Sequence, residues 1–492
     1  MNATSHPQSG QLRALWTLLI ASIAMLGGCA NIPDLGPTPA LKPVEQLAST
    51  QSFSAPVAAW PGDHWWEEYG DPQLNELIEE ALRDSPDLEQ AQARLRLASA
   101  AVLGTGAALM PEVTGNASLT QQKQSYNYIV PRAAVPQDWN GYGQATLNLS
   151  WELDFWGKNR SALAAATSAQ QAAQAEVAQT RLVLSTSVAT AYAEMQHLFT
   201  IHDSAEAALA IRTKTADLIR QRYKFDLENL ASVRQVEAKQ AAAQAELLVV
   251  DERIALQRNA IAAMLGAGPD RGLVITRPTA HSAAPIGLPA NLALELLGRR
   301  PDIVAARLRA ESAAKRIDQQ KAGFYPSVNL MAFVGVQSLG IDNLSKSGSD
   351  MGGIGPAISL PIFNTERLQG QLRGARAEYD AAVASYNGAL SNALHEIADV
   401  VTSRKALNGE LLASSNAVYA AGEAHRIISR RYQGELATYL DVLTAEDARI
   451  SAERSLAAIE TRALILDVAM VRALGGGFQD PGQSVARADT HN

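Results

Sequence analysis

One cysteine, Cys29, stands in 492 residues, so no disulfide can form within the chain. Aromatic residues make up only 5% of the composition, and from Ser161 to Ala178 the chain is nearly all Ala, Gln, Ser, Thr and Glu. Such a stretch favours helix but offers no bulky stripe for a conventional core. Positive charge is short: 42 Lys plus Arg face 50 Asp plus Glu, a formal net charge of −8. That balance gives no support to nucleic-acid binding, which calls for a clustered basic face. The sequence has no Walker-type phosphate loop and, beyond its first 29 residues, no apolar run long enough for a spanning helix. Gly266-Ala267-Gly268 and Gly475-Gly476-Gly477 follow helical stretches instead of preceding them, so they read as helix stops. The eight histidines are scattered, and His197 and His202, five apart, fall on different faces of a helix. No cluster of Ser, Cys or carboxylates suggests catalysis, so the chain reads as something other than an enzyme, with no cofactor; only long-range geometry could bring catalytic groups together.

What is present is a repetition. Pro86-Asp87-Leu88 opens a helical stretch that ends at Pro111, and Pro301-Asp302-Ile303 opens one that ends at Pro326, with an identical interval. Ala91, Arg94, Ala98 and Val102 fall opposite Ala306, Arg309, Ala313 and Ile317. Further on, Tyr223 to Gly266 matches Tyr432 to Gly475, with Leu227, Val233, Glu237 and Leu265 opposite Leu436, Val442, Glu446 and Leu474. The period is far longer than the roughly 20–50 residues of a solenoid, so each copy contains several elements and builds half of a pseudosymmetric subunit. The copies are expected at 61–285 and 286–477, followed by a disordered tail over 478–492.

The first residues fix a compartment. Arg13 precedes an apolar stretch from Ala14 to Leu26 that finishes in Leu26-Gly27-Gly28-Cys29, the pattern of a secretory signal over 1–28. Two readings of Cys29 follow: a chance cysteine at an ordinary cleavage site, or a modified residue at the new N-terminus. The next stretch, 29–60, is rich in proline (Pro33, Pro37, Pro39, Pro43, Pro56), lacks periodicity, and reads as a tether over the surface of the body.

Asn159 to Tyr223 contains neither proline nor glycine, and as one helix would be a rod of roughly 95 Å at 1.5 Å per residue. In the second copy Leu390 to Arg431 is broken only by Gly409 and Gly422. Leu456, Ile459, Ala463, Leu466, Met470 and Leu474 form a seam suited to coiled-coil-like packing. Between the helices the period changes to two. Strands are expected at about 111–122 and 142–154, and at about 326–337 and 353–362, in two hairpins with polar, glycine-containing loops. Their length suits a tilted crossing of a bilayer. Alternation alone leaves a soluble sheet packed on helices equally open. Four strands cannot close on themselves, and an open edge cannot face hydrocarbon, so a membrane sheet would have to be completed by other chains.

Six blocks in order carry a family resemblance over nearly the whole mature chain. These are Trp65-Trp66-Glu67-Glu68-Tyr69-Gly70-Asp71-Pro72-Gln73-Leu74, the two Pro-Asp helix starts, Trp151-Glu152-Leu153-Asp154-Phe155-Trp156-Gly157, Leu360-Pro361-Ile362-Phe363-Asn364, Tyr439-Leu440-Asp441-Val442-Leu443 and Ala473-Leu474-Gly475-Gly476-Gly477. They resemble the signature blocks of the outer membrane factor family, the TolC-like channels, and are similar to its lipoprotein branch of OprM and NodT-type proteins. The resemblance implies a mainly α subunit of a homotrimer: a 12-stranded membrane β-barrel, four strands per subunit, continued by a long α-helical barrel through the periplasm. It implies a passive outer-membrane channel for drugs or other small molecules, working with a periplasmic adaptor and an inner-membrane pump of the RND type. A type I-like protein secretion channel and a non-conducting, lipid-anchored periplasmic scaffold are the alternatives. The segment before Cys29 resembles a lipobox, which implies N-palmitoyl and S-diacylglycerol groups on Cys29, with Ala30 favouring the outer membrane. Gate and selectivity positions follow likewise: Asp441 matches an aspartate ringing the narrow entrance, Leu440 a constricting apolar residue, and Tyr432 a tyrosine of the closing network. The pattern's second acid is Thr444 here and its arginine is Ala437, so the latch must differ. Glu446 and Asp447 add negative charge nearby, on what reads as a solvated face.

Overall fold

The computed structural model describes residues 32–47, 53, 58–127, 129–279, 288–289 and 292–480. Cys29, the signal at 1–28 and residues 481–492 lie outside these. The first copy runs α1 (Pro72–Asp84), α2 (Pro86–Ala107), β1 (Glu112–Gln122), β2 (Asn140–Glu152), α3 (Lys158–Lys224) and α4 (Leu230–Met264). The second repeats that order as α5 (Leu292–Arg299), α6 (Pro301–Ala322), β3 (Ser327–Leu339), β4 (Asp350–Ser359), α7 (Thr365–Gln433) and α8 (Tyr439–Leu474). Helices α2 and α6 each have 22 residues and each begins on proline, whose missing N–H costs nothing in the first turn.

Helix α3 is unbroken over 67 residues and α7 over 69. The second begins well before Leu390 and runs through Gly370, Gly374 and Gly388. Each glycine costs about 1 kcal/mol against alanine, and buried Leu368, Leu372, Ala375, Val383 and Tyr386 supply the packing that offsets it.

The strands form one antiparallel sheet in the order β1-β2-β3-β4. The two expected hairpins are joined by β2 and β3, in register from Tyr142↔Leu339 to Glu152↔Asn329. Strand β4 lies earlier than the expected 353–362. Its ladder ends where Ser359 pairs with Ser327, just before Pro361, which has no N–H to contribute.

The chain divides into two compact units. The first comprises Met1–Ala40, Arg96–Gln171 and Arg307–Ser385, and contains the whole sheet. Within it, Ile32 and Leu35 pack against buried Ile317, Phe324, Leu368 and Leu372. Arg376 donates to the Pro37 carbonyl and to Thr38, and the Tyr379 hydroxyl donates to the Pro39 carbonyl. The segment read as a surface tether is therefore fastened here, because prolines leave carbonyls exposed for side chains to claim.

The second unit comprises Leu41–Leu95, Ala172–Ala306 and Tyr386–Asn492. Here Val44 is buried beside Leu288, Leu292, Leu296, Ile303, Leu390 and Ile397, and the Lys42 N–H donates to Asn387 Oδ1 at 2.9 Å. A second cluster gathers Trp65, Trp66 and Tyr69 with Leu77, Ile78, Tyr192, Met195, Ile261 and Val468. Asp71 caps α1 through the N–H groups of Gln73 and Leu74 and also accepts from the Tyr192 hydroxyl at 2.7 Å and the Thr279 N–H at 2.8 Å. Helix α8 is buried on two stripes where the sequence suggested one seam. Leu464, Val468 and Val471 enter the tryptophan cluster, while Met470, Ala473 and Leu474 enter the other. Leu456, Ile459 and Ala463 of the expected seam are only half-buried.

Both glycine motifs end helices. Gly266 and Gly475 have φ of +71° and +91°, the left-handed turn that a side chain resists. Residue 480, expected to belong to the tail, is held instead: the Asp480 N–H donates to the Gly298 carbonyl at 2.9 Å, and Asp480 is buried.

Candidate functional site

Register decides what the sheet is for. Val113, Gly115 and Ala117 of β1 lie opposite Leu149, Leu147 and Ala145 of β2; these lie opposite Ala332, Val334 and Val336 of β3; and Ala332 and Val334 lie opposite Ile354 and Gly352 of β4. One face is thus apolar across all four strands. The other carries Thr114, Asn116, Ser118, Gln144, Thr146, Asn148, Asn329 and Gln337, interrupted by Met331 and Phe333. In a soluble sheet the apolar face would be covered. Here Val113 is 62%, Leu147 56%, Val334 61% and Ile354 78% exposed, a patch of the kind that meets lipid.

Aromatic side chains gather where β2 ends and β3 begins. Trp156 stacks on Tyr325 at 4.7 Å between ring centroids and donates its indole N–H to the Pro326 carbonyl at 2.8 Å. Trp151 donates to the Leu109 carbonyl at 3.0 Å, and Phe155 and Phe363 are exposed. Rings with a polar handle suit a membrane–water boundary. Among the described residues no helix is long and apolar enough to cross a membrane.

The expected entrance residues flank the turn between α7 and α8: Tyr432 lies in the last turn of α7, Leu440 and Asp441 in the first turn of α8. Copies one and two build this turn alike: Asp226 and Glu435 have φ of +57° and +58°, and Asn229 and Thr438 cap the helices that follow. Asn229 accepts from the Ser232 N–H, whereas Thr438 accepts from the N–H of Asp441. Only the second copy therefore places a carboxylate at this point, and it returns two bonds, accepting from the Thr438 N–H and hydroxyl. Those bonds, the hydroxyl first, hold the exposed Asp441 carboxyl below its ordinary range. Leu440, beside it, is exposed. Tyr432 lies with its ring 5.8 Å from that of Tyr439, and its hydroxyl is buried without a hydrogen-bond partner.

Of the two acids expected on a solvated face, Asp447 is exposed and Glu446 is not. Asp447 joins two helices to its own, accepting from Arg212 of α3 at 2.6 Å and Lys239 of α4 at 3.0 Å. Glu446 is buried. Sequence reading missed this because a carboxylate on a long helix is ordinarily wet; the signal was the matched pair of Glu237 and Glu446, whose surroundings differ.

The sequence profile described as "outer membrane efflux protein" matches residues 77–267 and 292–476, one match for each copy. The chain belongs to the outer membrane efflux protein family. It is similar to the multidrug resistance outer membrane protein MdtP of Escherichia coli strain K12, at 32% identity over 484 residues, 95% of this chain and 97% of that one. It is similar to the fusaric acid resistance protein FusA of Burkholderia cepacia, at 35% identity over 370 residues, 73% of this chain and 69% of that one. Among solved structures it resembles the outer membrane protein VceC of Vibrio cholerae, with a TM-score of 0.81 and 48% identity over 85% of this chain and all of that one. The fold is that of a TolC-like channel subunit, mainly helical with one four-stranded sheet. As an outer membrane efflux protein the chain is a channel subunit of the outer membrane, in a family of channels and not of enzymes.

Proposed function

We propose that three copies close their sheets into one 12-stranded barrel and passively conduct drugs or other small molecules from a periplasmic entrance to the exterior. The observation that carries this reading is the exposed apolar face on a four-stranded sheet. Strands β1 and β4 each have one unpaired edge within the protomer, and lipid tolerates neither an open edge nor a partial barrel. Side-by-side closure of identical subunits pairs the edge of β4 with that of a neighbouring β1 and leaves the apolar face on the outside.

Energy for transport comes from elsewhere: a periplasmic adaptor and an inner-membrane pump of the RND type complete the tripartite system. The names of MdtP and FusA, which concern resistance to drugs and to fusaric acid, support small-molecule cargo over secreted protein. Leu440, Asp441 and Tyr432 line or brace the entrance, with three Asp441 carboxylates favouring cations. Cys29 carries N-palmitoyl and S-diacylglycerol groups that hold the N-terminus on the outer membrane.

A planar-bilayer recording of the purified protein tests the reading. Cation-selective current from a trimer is expected. A lipid-bound protein that passes no current at any voltage would instead be the periplasmic scaffold.

A further inference from the structure

The duplication pairs Glu237 with Glu446, and the two have opposite surroundings. Glu237 accepts from Arg220 Nε at 3.2 Å and from Arg234 Nη1 at 2.8 Å. Carrying the same spacing forward, the partners of Glu446 should be residues 429 and 443, and these are Ser429 and Leu443. Both guanidinium groups are gone from the second copy.

Glu446 is nevertheless inside, 2% exposed, between Leu443 and Ile450 on the buried side of α8. Its Oε1 is buried without a hydrogen-bond partner. Around it, Arg212 of α3 and Lys239 of α4 are both committed to Asp447, and Arg449 of α8 is paired with Glu453 at 3.4 Å. Tyr439 faces it from the first turn of α8, with Tyr432 of α7 beyond. Ionised, this carboxylate would be a buried charge whose neighbouring cations serve other acids; neutral, it fits the packing. Burial, offset in part by Arg212, accordingly raises its proton affinity above the ordinary carboxylate range.

We propose that Glu446 is a proton-binding site that latches the entrance: its neutral form holds the first turns of α8 against α3 and α4, and release of its proton to water loosens that packing. The residue stands five positions after Asp441 on the same helix, so loosening here moves the entrance residues. A proton bound more tightly in the packed state stabilises that state, and the entrance opens as pH rises. The inference rests on the channel reading, and its test is arranged so that the two can fail separately.

Single-trimer currents are recorded between pH 5 and 8 for the wild type and Glu446→Gln, both carrying Asp441→Asn to silence the carboxylate ring. In parallel, amide exchange of the 439–450 segment is followed, corrected for the intrinsic pH dependence of exchange. The wild-type open-to-closed ratio should rise with pH by up to about tenfold per protomer for each pH unit separating the two states' proton affinities, with faster exchange over the same interval. Glu446→Gln should remain at the low-pH value in both measurements. Equal pH profiles for the two proteins overturn the latch. Absence of current from the wild-type form at every pH overturns the channel reading, and exchange then decides the latch by itself. Ser429→Arg, which restores one of the first copy's two cations, should flatten both profiles while keeping the carboxylate; profiles unchanged from wild type would also count against it.

Discussion

Thr438 and Asp441 hold each other: the carboxylate takes the Thr438 N–H at 2.8 Å and hydroxyl at 2.7 Å, while that hydroxyl accepts the Asp441 N–H at 3.3 Å. The residue matched to an entrance ring is thus also the N3 acid of a capping box. Two consequences of removing it must be kept apart. Asp441→Asn retains an acceptor and loses only charge, so selectivity for cations should fall with trimer stability nearly unchanged. Asp441→Ala should lose the same selectivity and about 1 kcal/mol of helix stability as well. Reversal potentials in a salt gradient, with thermal unfolding, separate the two. Selectivity unchanged in both variants would remove Asp441 from the conduction path.

Leu147 and Asn148 are neighbours on β2 that point to opposite faces, in register with Val334 and Phe333. Leu147→Arg places a charge on the apolar face and should cost about 2–4 kcal/mol if that face meets the bilayer middle. Asn148→Arg, toward the polar face, should assemble normally. Outer-membrane yield of heat-modifiable trimer measures both, and equal losses would contradict an apolar side turned to lipid.

Arg300 is buried and binds Asp302 at 2.6 Å, Glu396 at 2.7 Å and the Ala473 carbonyl at 3.1 Å, tying α6, α7 and the end of α8 together. Arg300→Met should destabilise the protein by about 3 kcal/mol, the lower end of the range for breaking a buried pair, since both acids keep some water. Thermal or denaturant unfolding provides the check, and a change under 1 kcal/mol would show that the pair is dispensable.

Asp71 illustrates a pH dependence with a definite sign. Burial pushes its carboxyl up, but bonds from Tyr192, Thr279 and Gln73 outweigh this and hold it below its ordinary value. A depressed folded-state value means that the contribution to stability is complete above about pH 4 and is lost as pH falls through the lowered value. Asp71→Asn should therefore lower the melting temperature at pH 7, by an amount that shrinks as pH falls below about 4. A constant difference across this range would mean that the charge is irrelevant.

Cys29→Ser should abolish incorporation of radiolabelled palmitate. Trimers should still form, because the segment from Ile32 to Leu47 is fastened by Arg376, Tyr379 and Asn387 without the lipid. Failure to assemble would make the acyl groups part of the fold.

The local content of this protein was legible in its sequence. The matched Pro-Asp starts, the glycine stops, the long run free of proline and glycine, and the two-residue alternation of the strands all act through backbone dihedrals within a few residues, so order along the chain suffices to read them. Tertiary structure decided what depends on neighbours distant in sequence. It joined β2 to β3 and thereby made one continuous apolar face, split the seam of α8 into two buried stripes, and fastened the proline-rich segment to α7. It also placed Glu446 in the interior while leaving its twin Glu237 beside two arginines. A helix position has no inherent inside; only the packing of α3 and α4 against α8 removed water from one carboxylate and not from the other.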